Sequence, residues 1–172
     1  MTEFNPKHRK AYGLWLGAVL AMVLLPAVTG CGGKPPKPQP PAPPAPAPML
    51  RVDVSAAANA NATASAKGLP IVVRLYELKS AGGFRGADFF SLYDREAEVL
   101  GGDLIARDEL TLAPGQSKQI SRPLGPDARY FGVVGAYRDI DRAQWRQVVP
   151  LGGGDNALVV SVGADAIRIE SL

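Results

Sequence analysis

Apolar and polar residues alternate without a break through Leu50-Arg51-Val52-Asp53-Val54-Ser55, which predicts an extended strand with one face buried. Ile71 to Leu78 (IVVRLYEL) is β-branched and apolar enough for a central strand with both faces partly covered. Shorter runs of the same kind predict strands over Ala106–Leu112, Ser117–Arg122, Tyr130–Arg138, Trp145–Leu151, Ala157–Val162 and Ala166–Glu170. Pro114-Gly115, Pro123 to Asp127 and Gly152 to Asn156 punctuate them, with Gly152-Gly153-Gly154 read as a hairpin turn. Seven or eight short strands at this spacing predict a mainly β fold, a two-sheet β-sandwich. One stretch departs from the pattern. In Ala87 to Leu100 (ADFFSLYDREAEVL), Phe90, Tyr93, Ala97 and Leu100 recur at helical spacing, Asp88 suits an N-cap, and Gly101-Gly102 suits a stop. The spacing predicts one short helix whose aromatic stripe packs on the core and which covers an edge or open end of the sandwich. Tyr137 and Trp145, in or beside apolar strands, are expected to pack into the domain.

Ahead of Leu50 the pattern changes in kind. Lys7, His8, Arg9 and Lys10 precede an apolar run from about Ala11 to Val28, followed by Thr29-Gly30-Cys31. This order resembles a bacterial lipoprotein export signal with its lipobox. The resemblance implies that Cys31 receives a diacylglyceryl group, that residues 1–30 are cut away, and that the new amino terminus is acylated. An uncleaved anchor helix with a buried free cysteine is the competing reading; Pro26 and the proline-rich stretch beyond it do not suit a helix continuing through lipid. Two or three acyl chains on one residue hold a protein to a membrane, where a single chain binds only reversibly. Gly32 stands where an aspartate would favour inner-membrane retention, so by resemblance to sorted lipoproteins the chain is expected on the outer membrane, facing the periplasm.

From Lys34 to Pro48, KPPKPQPPAPPAPAP holds nine prolines and nothing able to build a core. Residues 31–49 therefore read as a tether of extended polyproline II, reaching on the order of 50 Å at about 3.1 Å per residue. The remaining 50–172 is long enough for one domain with a real core. The whole-chain charge of +3 misleads, because Lys7, Arg9 and Lys10 fall in the signal. From Cys31 onward, 16 basic residues face 15 acidic ones, which gives no electrostatic case for nucleic acid.

His8 and Cys31 are the only histidine and cysteine. With both outside the domain, a Ser-His-Asp triad, a Cys-His pair and a nitrogen or sulfur zinc set are excluded. Carboxylates survive as candidates: Asp139 and Asp141 in RDIDR are spaced like paired acids or calcium ligands, but the flanking Arg138 and Arg142 favour a solvated, ion-paired turn. No cofactor is expected beyond the covalent lipid, and no small-molecule substrate. Asn61-Ala62-Thr63 matches a glycosylation sequon by chance. The stretch Ala56 to Gly68 (AAANANATASAKG) has no apolar period and is long for a connection between strands, as functional or disordered loops are.

Several pieces in order resemble the TssJ family, the outer-membrane lipoproteins of type VI secretion systems. They are Gly68-x-Pro70-Ile71-Val72-Val73-Arg74-Leu75-Tyr76-x-Leu78, Phe84, Ala87-Asp88-Phe89-Phe90-x-Leu92, Leu100-Gly101, Pro114-Gly115, Gly132-Val133-Val134-x-Ala136-Tyr137-Arg138-Asp139 and Trp145-Arg146. The resemblance implies a transthyretin-like sandwich with a small helical addition and a non-enzymatic role: binding the C-terminal periplasmic region of the large inner-membrane TssM subunit. It places the contact in the loop joining the first two strands, which makes Asn59, Asn61, Thr63, Ser65, Lys67 and Gly68 the candidate partner-binding residues. That loop is poor in the Tyr, Trp and Arg anchors that usually dominate interfaces, so flanking residues are expected to contribute. A lipid-tethered periplasmic chaperone or glycan-binding module is the alternative, and it would be expected to show a deep pocket or an aromatic platform.

Overall fold

The computed structural model describes residues 46–62 and 67–172. The export signal (1–30), Cys31, Gly32, the tether up to residue 45, and Thr63 and Ser65 of the loop lie outside them. Eight strands and three short helices follow in the order β1 (Met49–Ala56), β2 (Ile71–Leu78), α1 (Gly82–Gly86), α2 (Phe89–Asp94), α3 (Glu96–Leu100), β3 (Leu104–Leu112), β4 (Ser117–Pro123), β5 (Tyr130–Gly135), β6 (Arg146–Pro150), β7 (Asn156–Val162) and β8 (Ile167–Ser171). They form two four-stranded sheets, β4-β1-β7-β8 and β3-β2-β5-β6. In the first sheet β1 runs antiparallel to β4 and parallel to β7, with Val52 opposite Ile120 on one side and Leu158 on the other. The second sheet is antiparallel throughout.

The alternation in β1 points Leu50, Val52, Val54 and Ala56 inward, where they meet Ile71, Val73 and Leu75 of β2 and Phe131 and Val133 of β5. Because neighbouring side chains of a strand face opposite ways, Tyr76 and Leu78 emerge on the outer face of the second sheet. That face is buried too. Phe84, Leu92 and Leu100 from the three helices cover Tyr76, Leu78 and Val134, forming a second apolar cluster. Phe84 lies over Gly132, where an added Cβ would come within 2.8 Å of the ring, and meets Tyr76 edge-on at 5.5 Å. This packing holds α1 helical despite its three glycines.

Several features differ from the sequence expectations. The segment 87–100 is not one helix but two, α2 and α3, with a break at Arg95 (φ −130°, ψ 38°). Arg74, on the outer face of β2, donates to the Tyr93 carbonyl, which would otherwise accept within a continuing helix, and its guanidinium stacks 3.7 Å from the Tyr93 ring. The inward face is consequently Phe89, Leu92, Tyr93 and Leu100, while Phe90 and Ala97 are exposed. The helices also cover a sheet face rather than an edge or an open end of the sandwich. Asp88 does cap α2, accepting from the Ser91 N–H at 2.9 Å, and Gly101 ends α3 at φ +48°.

The Gly152-Gly153-Gly154 segment is not a hairpin. It carries the chain from β6 in one sheet to β7 in the other, its corner tied by Asn156, whose amide accepts from the Gly152 N–H at 2.8 Å and donates to the Gly154 carbonyl at 2.7 Å. β5 ends at Gly135 rather than Arg138, because the Tyr137 N–H turns back onto the Gly135 carbonyl at 2.9 Å. Tyr137 is buried, as expected, and Trp145 is half-buried with its ring edge-on to Phe89 at 5.2 Å.

Candidate functional site

The strand directions bring four connections to one end of the sandwich: β1–β2, β3–β4, β5–β6 and β7–β8. Backbone hydrogen bonds lock them together. The Ala57 N–H donates to the Val162 carbonyl (2.9 Å), Asn61 to Gly163 (3.1 Å), Leu69 to Ala60 (2.8 Å), Gly115 to Ala56 (2.9 Å) and Gln144 to Asp165 (2.7 Å). The base of the β1–β2 loop is therefore part of the packed structure. Ala60 is fully buried within the main core. At Gly68 any side chain is barred, since a Cβ there would stand 2.3 Å from the Ala58 carbonyl oxygen.

Asn61 is the keystone of this base. It adopts φ 52°, a left-handed conformation that asparagine tolerates better than most residues. Its amide is spent inside the protein: Nδ2 donates to the Pro70 carbonyl at 3.0 Å, and Oδ1 accepts from the Arg138 N–H at 2.8 Å. The side chain thus ties the β1–β2 loop to the β5–β6 loop. Of the residues expected to meet a partner, Asn61 and Gly68 shape the loop, whereas Asn59 and Lys67 are exposed and free to be touched.

Between these loops lies a cleft of about 320 Å³, lined by Asn59, Asn61, Ala62, Tyr137, Asp139, Arg142, Ala143, Ala164 and Asp165. Its rim carries both signs, with Asp139 loosely paired to Arg142 at 3.9 Å. Burial, and then the nearby Asp165 carboxylate, push the Tyr137 phenol well above its ordinary pKa, so it stays a neutral hydroxyl, 3.4 Å from the Gly163 carbonyl. The apolar pattern predicts Tyr137 in a strand and gives Asp165 no role; the signals for this side of the cleft are the Asp139 carboxylate in RDIDR and the Tyr137-Arg138-Asp139 run that resembles the family.

Asp139 and Asp141, adjacent in sequence pattern, part company here: Asp139 borders this cleft and Asp141 borders a separate groove on the far side of the β5–β6 loop. Among the described residues no cluster of His, Cys, Asp and Glu is arranged to hold a metal, and no helix is long and apolar enough to cross a membrane. An end built of four laced loops with a mixed-charge cleft has the chemistry of a recognition surface.

The family described as type VI secretion lipoprotein (VasD, EvfM, TssJ, VC_A0113) matches residues 48–165. Among proteins of curated function, none matches the chain. The T6SS lipoprotein TssJ1 from Pseudomonas aeruginosa is 41% identical over 74% of this chain and 98% of its own, with a TM-score of 0.70. Serratia marcescens Lip, described as a membrane bound component of the type VI secretion system, is 30% identical over 72% of this chain and 97% of its own, with a TM-score of 0.66. A chain in a structure described as the T6SS protein TssM C-terminal domain (869-1107) from EAEC is 26% identical over 73% of this chain and 99% of its own, with a TM-score of 0.59. With this sandwich and a family match over residues 48–165, the chain belongs to the type VI secretion lipoprotein family, which includes TssJ.

Proposed function

We propose that the mature chain is a non-enzymatic anchor, held on the periplasmic face of the outer membrane by lipid on Cys31, which binds the C-terminal periplasmic region of the large inner-membrane TssM subunit through its loop end. The observation that carries this reading is the polarity of the domain. The chain enters at Pro48 and Met49, where the Pro48 carbonyl accepts from Leu124 at 2.7 Å and the Met49 N–H donates to Asp155 at 2.8 Å. The laced loops stand at the opposite end of β1, about 25 Å away at roughly 3.3 Å per residue. Chain entry and loops thus lie at opposite ends of the domain, which suits a protein joining one membrane to a partner reaching from the other. The likeness to a chain in the TssM C-terminal domain structure supports that identity for the partner.

Replacing Cys31 with serine is the test of the anchor. The Cys31→Ser protein should fold, lose its lipid, and leave the outer-membrane fraction on density-gradient separation, while Gly32→Asp should shift the lipidated protein towards the inner membrane. A Cys31→Ser chain that still floats with outer-membrane vesicles at wild-type levels would remove the lipid from the account.

A further inference from the structure

On the far side of the β5–β6 loop from the cleft lies a second groove of about 350 Å³, whose walls include Phe89, Phe90, Ile140 and Trp145. Phe90 is 64% exposed; among the described residues the only other exposed large apolar side chain is the terminal Leu172. Phe90 is held in place rather than left loose. Its ring meets Phe89 edge-on at 5.4 Å, and Phe89 in turn stacks on Tyr93 at 5.1 Å. An exposed aromatic on a rigid aromatic base loses little entropy on binding, the property of an interface anchor.

The rim of the groove is acidic. Asp88 is fully exposed, and its hydrogen bonds with Ser91 hold its carboxyl below the ordinary carboxylate range. Asp141 is exposed and has no ion pair among the described residues. The one cation there, Arg146, is turned into the wall, donating to the Phe84 and Ala87 carbonyls with its guanidinium 4.7 Å from the Trp145 ring. The groove therefore fits an apolar side chain flanked by lysine or arginine.

The segment 137–146 forms the common wall of both depressions, with Tyr137, Asp139 and Arg142 facing the cleft and Ile140, Asp141 and Trp145 facing the groove. A specific interface engages about 20–30 residues a side, more than the cleft and its loop supply. We infer that the partner domain bound at the loop end continues across this wall and seats a basic-flanked apolar segment in the groove, with Phe90 as the anchor. This rests on the partner-binding reading above and supplies the aromatic hot spot that the loop itself lacks.

The test titrates the full chain, purified in detergent, with the periplasmic C-terminal domain of the TssM subunit of the same secretion system. Phe90→Ala should weaken binding about 30-fold with an unchanged melting temperature, and Asp141→Lys about fivefold, with a weaker dependence on salt. A photo-crosslinking amino acid placed at position 90 should join the chain to the TssM domain, and this readout decides the matter if Phe90→Ala also lowers stability. Wild-type affinity for Phe90→Ala, with no cross-link from position 90, would overturn the groove and leave the loop end standing, provided that variants of the loop do weaken binding. Failure of the wild-type chain to bind the TssM domain at all would overturn both.

Discussion

Replacing Arg122 with alanine is expected to destabilise the domain by about 3 kcal/mol, lowering its melting temperature by roughly 10 °C. Arg122 lies on β4 of one sheet and reaches across to the other, its guanidinium 3.0 Å from Glu77 on β2 and 2.9 Å from Asp108 on β3. Glu77 follows Val73 and Leu75 on the inward face of β2 and is completely buried. Its second oxygen accepts from the Gly125 N–H at 3.0 Å. The contacts to Arg122 are short but poorly aligned as hydrogen bonds, for Glu77 Oε1 and Asp108 Oδ2 find no well-directed donor, so charge rather than geometry holds the triad.

Removing one member of such a group leaves an uncompensated charge in the interior, which costs about 3–5 kcal/mol. The lower end applies because the Arg122 and Asp108 side chains are 26% and 35% exposed, and water screens the second pair. Glu77→Gln on the Arg122→Ala background removes the stranded charge while keeping an acceptor for Gly125, and should recover more than half of the loss. Urea unfolding of the three proteins checks this. An Arg122→Ala protein within 1 kcal/mol of wild type would show that Glu77 finds another partner or water.

Asn61→Ala should cost about 2–4 kcal/mol. Roughly 1–2 kcal/mol comes from forcing alanine into the left-handed region at φ 52°, and the remainder from stranding the Arg138 N–H and the Pro70 carbonyl. Asn61→Gly separates the two contributions. Glycine accepts the backbone angle freely but makes neither hydrogen bond, so it should fall between wild type and Asn61→Ala. If the alanine variant melted with wild type, the laced base of the loop would not be a structural unit. For the same reason, excising the whole of 56–69 is not a neutral deletion, since it would remove Ala60 and Asn61 from the interior.

Much of the fold was legible because local periodicity and the tertiary environment agree. The alternation in Leu50–Ser55 gave both the strand and its inward face, and the apolar run Ile71–Leu78 correctly announced a strand covered on both sides. The inward parity of Glu77 could also be read from its spacing to Val73 and Leu75. Its partner could not, because Arg122 comes from another sheet. What failed depended on such distant contacts: the Arg74 hydrogen bond that breaks the helix at Tyr93, the Phe84 contact that makes a helix of Gly82–Gly86, and the passage between sheets at Gly152–Gly154. At the candidate site, sequence singled out the β1–β2 loop but assigned its residues one kind of role. Asn61 and Gly68 answer to the backbone of the loop, and Tyr137 and Asp165 enter the cleft from connections that only the sheet topology brings near.

The central claim, that the loop end recognises the TssM domain, is tested most directly by calorimetric titration of that domain with wild-type chain and with a variant in which the exposed Asn59 and Lys67 are replaced by alanine and residues 62–66 by glycine and serine. Asn61 and Gly68 stay in place, so the base of the loop is kept. The account predicts an unchanged melting temperature and an affinity at least tenfold weaker, a loss of about 1.4 kcal/mol or more. Equal affinities in the two titrations would contradict it.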